Sequence, residues 1–153
     1  DYSPQLLSIA KKAIPSGKFY LTEAKKINFS NGYFDSVVMY SCIQYFPNKN
    51  YFLKVLFKIE KYLKKGGSLY IGEIVDKDKL KQFEKYRMKQ ISYSDYKRKY
   101  EGKENSKLKH FAISRNAIVS ILSKKFSDIE ISNSVKRGKE IDFFRFNINC
   151  VKK

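Results

Sequence analysis

The sequence has no tryptophan and little cysteine, proline or histidine: two cysteines, three prolines and one histidine among 153 residues. Cys42 and Cys150 lie too far apart for a CxxC metal motif, and two thiols are too few for a disulfide framework, so we expect a reducing compartment, the cytoplasm. No apolar run approaches the roughly 18 residues of a membrane span, and we expect no secretory signal. Hydrophobic residues nevertheless make up 42% of the chain, which excludes global disorder and suits a single domain.

Arginine is scarce although the chain is strongly basic. The net charge is +17, and only 5 of the 32 basic residues are arginines. Arginine is the residue expected where phosphate or guanine is bound in bidentate geometry. The basic residues are also spread nearly evenly along the chain. Two interpretations stay open: the charge is mostly solvated surface, or it attracts an anionic partner such as nucleic acid.

Apolar periodicity and capping residues predict helices that alternate with strands, the pattern of a parallel α/β sheet. Ser3 and Ser114 are expected to cap helices, and Gly66-Gly67 to end the helix that follows Asn48. The nearly continuous apolar stretch at residues 35–41 is typical of a strand buried on both faces. The predicted strands are residues 18–22, 35–41, 68–75, 128–133 and 143–151, the last two forming an antiparallel pair.

Residues 77–110 differ from the rest of the chain because they are highly charged, rich in aromatics and only weakly periodic. They predict a helix followed by a loop around residues 101–105. We interpret the stretch as a charged helical insertion or lid over a substrate, within one domain at residues 1–153. A solvated helix or an interaction surface is the alternative.

Four motifs follow one another in a particular order. Residues 1–4 read Asp-Tyr-Ser-Pro, and residues 19–24 read Phe-Tyr-Leu-Thr-Glu-Ala. Residues 33–38 read Tyr-Phe-Asp-Ser-Val-Val, and residues 62–71 read Tyr-Leu-Lys-Lys-Gly-Gly-Ser-Leu-Tyr-Ile. In these motifs the chain resembles the class I S-adenosylmethionine-dependent methyltransferases of the small-molecule type. The resemblance implies a Rossmann-like α/β fold, a mostly parallel sheet with a C-terminal antiparallel strand pair, and S-adenosylmethionine as cofactor.

The resemblance also implies which residues contact the cofactor. An acid at a strand end can accept both ribose hydroxyls, and a second acid can accept from the adenine amine. The implied cofactor-binding residues are Asp1 for the ribose, Tyr2 beside the sugar or adenine, Glu23 and Ala24 for the adenine, and Tyr40 and Ser41 for the methionine part.

One departure from the family is a missing motif. The glycine-rich loop between the family's first strand and first helix is absent from the sequence. We therefore expect that the chain lacks roughly 40–80 N-terminal residues of a typical domain of this type. Without the missing strands, residues 18–22 have no neighbouring strand with which to pair.

Two side chains are candidates for catalysis. Tyr45 stands where relatives often carry an aromatic residue or histidine near the substrate, and its alternative role is packing against Phe46 and Phe52. His110 is the only side chain with an ordinary pKa near neutrality, which suits a general base for hydroxyl methylation. A solvated loop histidine is the alternative.

The leading hypothesis is methyl transfer from S-adenosylmethionine to an oxygen or nitrogen of a small molecule, such as a metabolite or a sugar. An RNA methyltransferase is the first alternative, because the net charge is +17. A non-catalytic interaction fragment of a methyltransferase fold is the second alternative, because the glycine-rich loop is missing. We expect neither a metal site nor a membrane span.

Overall fold

A computed structural model describes residues 1–90, 92–96, 110–134 and 143–153. The helices are α1 (Pro4–Ala13), α2 (Lys49–Tyr62), α3 (Leu80–Gln90), α4 (Tyr93–Tyr96) and α5 (Arg115–Leu122), with short 3-10 turns at Ile43–Tyr45 and Lys77–Lys79. The strands are β1 (Phe34–Tyr40), β2 (Leu63–Val75), β3 (Phe126–Asn133) and β4 (Arg145–Lys152).

The four strands form one sheet in the order β1-β2-β4-β3. β1 and β2 are parallel, whereas β4 is antiparallel to both β2 and β3. The parallel pair is joined through α2, as in a βαβ unit. The predicted α/β fold class is confirmed, and so is the antiparallel pair at the end of the chain.

The helix boundaries follow from local capping. The Ser3 hydroxyl accepts the N–H of Leu6, and the Ser114 hydroxyl accepts the N–H of Ala117, so both predicted caps are present. The prediction that Gly66-Gly67 ends α2 is wrong, since the backbone turns extended at Leu63 and continues directly into β2. Gly66, with a φ of 75°, instead lies in an irregular stretch where several residues of β2 lie opposite Asp35.

The hydrophobic core lies on the face of the sheet that α2 and α5 cover. Alternate residues of the strands point into it, as the pleat requires. Its fully buried members include Phe52, Leu63, Leu69, Ile71, Ile74, Ile118, Leu122, Phe146, Ile148 and Cys150. Cys150 is thus a small core residue, which agrees with the absence of any disulfide or metal motif in the sequence.

Two predictions are wrong: the strand at residues 18–22 and the burial of residues 35–41 on both faces. Residues 18–22 form no strand, because the described residues place no strand beside them. Residues 35–41 are not buried on both faces: Val38 remains 66% exposed and Tyr40 50%. β1 is an edge strand, and none of the α1 residues is buried, so no described helix covers these side chains.

The charged stretch is helical where the structure describes it. A 3-10 turn leads into α3, and α4 follows. The predicted loop around residues 101–105 lies outside the described residues, and the assignment of residues 77–110 as a lid stays a prediction. Within the described part of the chain, no helix is long and apolar enough to cross a membrane.

A bulge interrupts β2 near its carboxyl end. Between Ile71 and Ile74 the register with β4 gains one residue, and Glu73 has a φ of 63°. The backbone N–H of Glu73 donates to the Asn147 side chain at 2.9 Å. The Glu73 carboxylate, buried at 3% exposure, accepts from the Ser134 hydroxyl and, at 3.1 Å, from Arg145 Nη1.

Truncating the buried acid is expected to destabilise the fold strongly. Glu73→Ala leaves the Arg145 guanidinium, itself only 13% exposed, without its carboxylate, and removing one partner of a buried ion pair costs about 3–5 kcal/mol. The measurement is the urea midpoint of unfolding. Asp35→Ala is the control, because the Asp35 side chain is 83% exposed in its ion pair with Lys64, and the loss of such an exposed pair is expected to change the midpoint little. Equal losses for both variants would contradict the assignment.

Candidate active site at the carboxyl end of the parallel strands

The chain leaves β1 through a tight turn that begins at Ser41. Ser41 has a φ of 51°, in the left-handed region that few non-glycine residues adopt. Its N–H donates to Gly72 O at 3.0 Å, which ties the turn to β2. The side chain of Gln44 donates to both the backbone oxygen and the hydroxyl of Ser41, at 2.9 and 3.0 Å. The end of β1 is therefore held in one conformation by polar contacts.

A distant segment is brought to this turn by backbone hydrogen bonds. The N–H of Phe111 donates to Gln44 O at 2.9 Å, and the N–H of Ile113 donates to Val75 O at 3.2 Å. The N–H of Lys77 in turn donates to Ile113 O at 3.3 Å. Residues 111–113 are thus fixed across the carboxyl end of β2. His110 directly precedes them and therefore lies at the same end of the sheet.

The two predicted catalytic residues meet here. The rings of Tyr45 and His110 pack edge to face, with centroids 5.6 Å apart and planes at 80°. Tyr45 is exposed, whereas Phe46 packs against Tyr51 at 4.8 Å between centroids. Tyr45 therefore does not serve as core packing, and His110 is half-buried rather than fully solvated. Both side chains border the place where ligands bind in open α/β sheets, the carboxyl ends of the strands.

A second group of predicted residues lies at the start of the chain. The amino group of Asp1 donates to Tyr20 O at 3.1 Å, and the N–H of Thr22 donates to Asp1 O at 3.0 Å. These bonds place the predicted ribose acid beside the segment that carries Glu23 and Ala24. Asp1 Oδ1 also accepts the N–H of Ser3 at 2.8 Å, so this acid helps to begin α1 as well.

The residues predicted to contact the adenine differ in their burial and in their polar partners. Ala24 is half-buried against the core, and Tyr2 is exposed. The carboxylate of Glu23 pairs with Lys26 at 2.8 Å and with Lys25 at 3.2 Å. Hydrogen bonds from Lys26 and then Lys25 lower the pKa of Glu23, so it is ionised and a strong acceptor at neutral pH.

Tyr40, the last residue of β1, packs its ring over Gly72 on the uncovered side of the sheet. A methyl group at Gly72 would lie 2.5 Å from Tyr40 Cδ2 and 2.9 Å from Tyr70 Cε1. A larger residue at position 72 would therefore require these rings to move. The pKa of Tyr70 is raised mainly because burial disfavours its phenolate form.

Two buried polar residues at this end of the sheet were not predicted from the sequence. Gln44 is 2% exposed, and its Oε1 atom has no hydrogen-bond partner among the described residues. Asp76 is buried at the end of β2, where it accepts from Arg115 Nε at 3.0 Å. Each side chain is polar within or next to an apolar stretch, and this was the only signal in the sequence that could have indicated them.

Comparisons with known proteins show similarity to methyltransferases. The model of the methyltransferase domain matches residues 1–71. The match covers just under half of the chain, so residues 1–71 are similar to the methyltransferase-domain family. The fold of the chain is that of the S-adenosylmethionine-dependent methyltransferases. The N-methyltransferase NodS from Bradyrhizobium japonicum, solved with S-adenosylhomocysteine, matches with a TM-score of 0.68 at 14% identity. A methyltransferase from Thermotoga maritima, described as a possible histamine N-methyltransferase, matches with a TM-score of 0.67 at 20% identity.

These methyltransferases are longer than the chain. The match covers 99% of the chain and 64% of NodS, and 100% of the chain and 72% of the Thermotoga protein. Chondramide synthase from Chondromyces crocatus is 44% identical over 46 residues, which is 30% of the chain and 1% of that synthase. S-adenosylmethionine is the cofactor of the family, and the resemblance seen in the sequence is confirmed.

Cys42 next to the site is expected to be an unreactive thiol. Burial raises the pKa of Cys42 from its ordinary 9.0 to about 11. At pH 8 its thiolate fraction should then be about 100-fold lower than in the unfolded chain, because each pKa unit is a factor of ten. The measurement is the iodoacetamide alkylation rate of native and urea-unfolded protein, resolved by mass spectrometry. Native alkylation as fast as unfolded would refute the assignment, and Cys42→Ser isolates the signal of Cys150.

Proposed function

We propose that this methyltransferase domain transfers the methyl group of S-adenosylmethionine to an oxygen or nitrogen of a small molecule. The observation that carries the proposal is the contact between Tyr45 and His110 at the carboxyl end of the parallel strands. An aromatic wall and a titratable ring there can border an acceptor. NodS is an N-methyltransferase and the Thermotoga protein is described as a possible histamine N-methyltransferase, which supports a small acceptor.

The residues at the start of the chain fit the nucleoside part of the cofactor. Asp1 and the ionised Glu23 lie on segments joined by two backbone hydrogen bonds. Within the described residues, Asp1 uses Oδ1 for Ser3, which leaves Oδ2 to accept a ribose hydroxyl. Glu23 can accept the adenine amine, and the backbone of Ala24 can bind a ring nitrogen. The described residues supply no glycine-rich loop for the amino-acid part.

The chain's own part in the reaction is positioning and proton transfer. S-adenosylmethionine, when bound, supplies an electrophilic methyl group on a sulfonium. Ser41 and Gln44 hold the end of β1 rigid, so that Tyr40 and Ser41 can border the methionine part. Tyr45 packs beside the acceptor, and this contact helps to align the reacting atoms. The same ring shields the acceptor from water. His110 removes the proton of a hydroxyl acceptor through a ring nitrogen, whereas a neutral amine needs no base to attack.

The proposed nucleoside contacts predict that removing either acid weakens the binding of S-adenosylhomocysteine. In calorimetric titrations with S-adenosylhomocysteine, Asp1→Ala and Glu23→Ala should each weaken affinity about tenfold, because a hydrogen bond to a charged group is worth about 1.5–3 kcal/mol. The titration is made with the chain and with a form that carries any native sequence preceding Asp1. Asp35→Ala is the matched control, since Asp35 is an exposed acid at the opposite end of β1, paired with Lys64 at 2.6 Å.

Equal weakening by Asp35→Ala would contradict the assignment of Asp1 and Glu23. If neither form of the protein binds S-adenosylhomocysteine, the enzyme proposal is wrong and the interaction fragment takes its place.

If His110 is the base, its removal should lower kcat without weakening the binding of S-adenosylhomocysteine. With a hydroxyl acceptor found in a panel of small alcohols, sugars and amines, His110→Ala should lower kcat about 100-fold. Its affinity for S-adenosylhomocysteine should stay unchanged, and added imidazole should restore part of the rate. Tyr45→Phe is the comparison variant, because it keeps the ring that packs on His110. A His110→Ala enzyme with an unchanged rate on a hydroxyl acceptor refutes the base role.

A further inference from the structure

A basic cleft lies between α2 and the loop that precedes β1, and it adjoins the proposed nucleoside site because its Lys25 pairs with Glu23. Its cavity measures about 390 Å³, within the size range of small-ligand sites. The lining consists of Lys25, Asn28, Phe29, Asn31, Lys54, Phe57, Lys58, Lys61 and Tyr62. The cleft thus combines four lysines, two asparagine amides and three aromatic rings, without an acidic residue.

The lysines of α2 lie on one face of the helix. Lys54, Lys58 and Lys61 follow one another at helical spacing, so they extend over about 10 Å along the axis. Phe57 lies within this stripe, remains 56% exposed, and has the Lys61 ammonium 4.5 Å from its ring centroid. An exposed ring within a row of cations offers stacking and phosphate contacts side by side.

The wall opposite α2 is fixed by hydrogen bonds. Lys58 Nζ and the Tyr62 hydroxyl both donate to Ile27 O at 2.9 Å. The N–H of Gly32 donates to Lys61 O at 2.9 Å, and the ring of Phe29 packs edge to face on Tyr62 at 5.7 Å. The cleft is therefore built into the fold, although some of its cations are ordinary surface lysines.

A second cavity adjoins the first. It measures about 510 Å³ and is lined by Tyr20, Asn28, Phe29, Ser30 and Tyr33. The two cavities share Asn28 and Phe29. Tyr20 and Tyr33 are about half exposed, so further aromatic rings flank the continuation of the cleft. The first cavity offers cations and aromatic rings and the second adds aromatic rings without a cation, so together they suit a ligand that carries both phosphates and bases.

We propose that the basic cleft and the adjoining second cavity, together called the α2 cleft, bind single-stranded nucleic acid. The lysine stripe contacts phosphates, and Phe57, Tyr20 and Tyr33 stack on successive bases. This combination of a basic groove with aromatic platforms is how proteins hold single strands without reading their sequence. The proposal does not depend on methyl transfer, and it supplies a contact surface for an RNA acceptor.

The first test measures binding of a fluorescent oligouridine by anisotropy over a salt series from about 50 to 200 mM. Lys54→Gln combined with Lys61→Gln should weaken binding at least tenfold and reduce the salt slope by about 1.4, since each phosphate contact on a single strand contributes about 0.7. Lys81→Gln with Lys124→Gln is the charge-matched control, because both lysines are exposed and lie outside the cleft. Lys58 is kept because it anchors the loop.

The second test separates stacking from charge. Phe57→Ala should weaken binding about tenfold, because base stacking on an aromatic ring is worth about 1–3 kcal/mol, and Phe57→Tyr should retain binding. Thermal unfolding and S-adenosylhomocysteine titration of each variant report folding and the proposed enzyme site separately. Equal losses in the two double-lysine variants would reduce the effect to general charge attraction and overturn the proposal. Uridine monophosphate binding as tightly as the oligonucleotide would overturn the strand-binding part.

Discussion

The bulge at Glu73 is the feature on which the carboxyl end of the sheet depends. In a regular strand, Glu73 would follow Leu69 and Ile71 into the apolar core, where an unpaired carboxylate is costly. The extra residue turns Glu73 toward Ser134 and Arg145 and places Ile74 in the core instead. The left-handed conformation at Glu73 itself costs about 1 kcal/mol or more. The ion pair and the bond to Asn147 hold that conformation, and they therefore determine where β2 ends.

The candidate site inherits its geometry from this end of β2. Val75, two residues beyond the bulge, accepts the N–H of Ile113, and this bond positions the segment that carries His110. The same segment bonds to Gln44, whose side chain holds Ser41. Three pieces of chain that are far apart in sequence are thus fixed relative to one another by backbone hydrogen bonds. Since these bonds are made by backbone atoms, they do not depend on the side chains of Tyr45 and His110.

The sequence predicted the parts of the fold whose signals are local. Ser3 and Ser114 are caps that act within one turn, and the alternation of residues 143–151 reports one buried face directly. The errors arose where a neighbour decides the outcome. Residues 18–22 have strand-like composition but no partner strand in the described sheet, and none of the described helices covers the second face of β1. The bulge, the buried role of Gln44 and the α2 cleft depend on contacts between distant segments, which periodicity does not report. The motif order located the predicted site residues, yet the meeting of Tyr45 and His110 required the structure.

The two halves of the candidate site are held with unequal strength. Tyr45 and His110 belong to segments bonded to the sheet, whereas Asp1 is attached through two backbone bonds to residues 20–22. α1 buries none of its residues, and its apolar side chains Leu6 and Ile9 are exposed. Hydrophobic burial therefore contributes little to the position of Asp1, and a ligand bound at this half would bear much of the cost of ordering it. A ligand that contacts both Asp1 and Ser41 would gain affinity from anything that packs on α1. By linkage, it would stabilise that packing by the same amount.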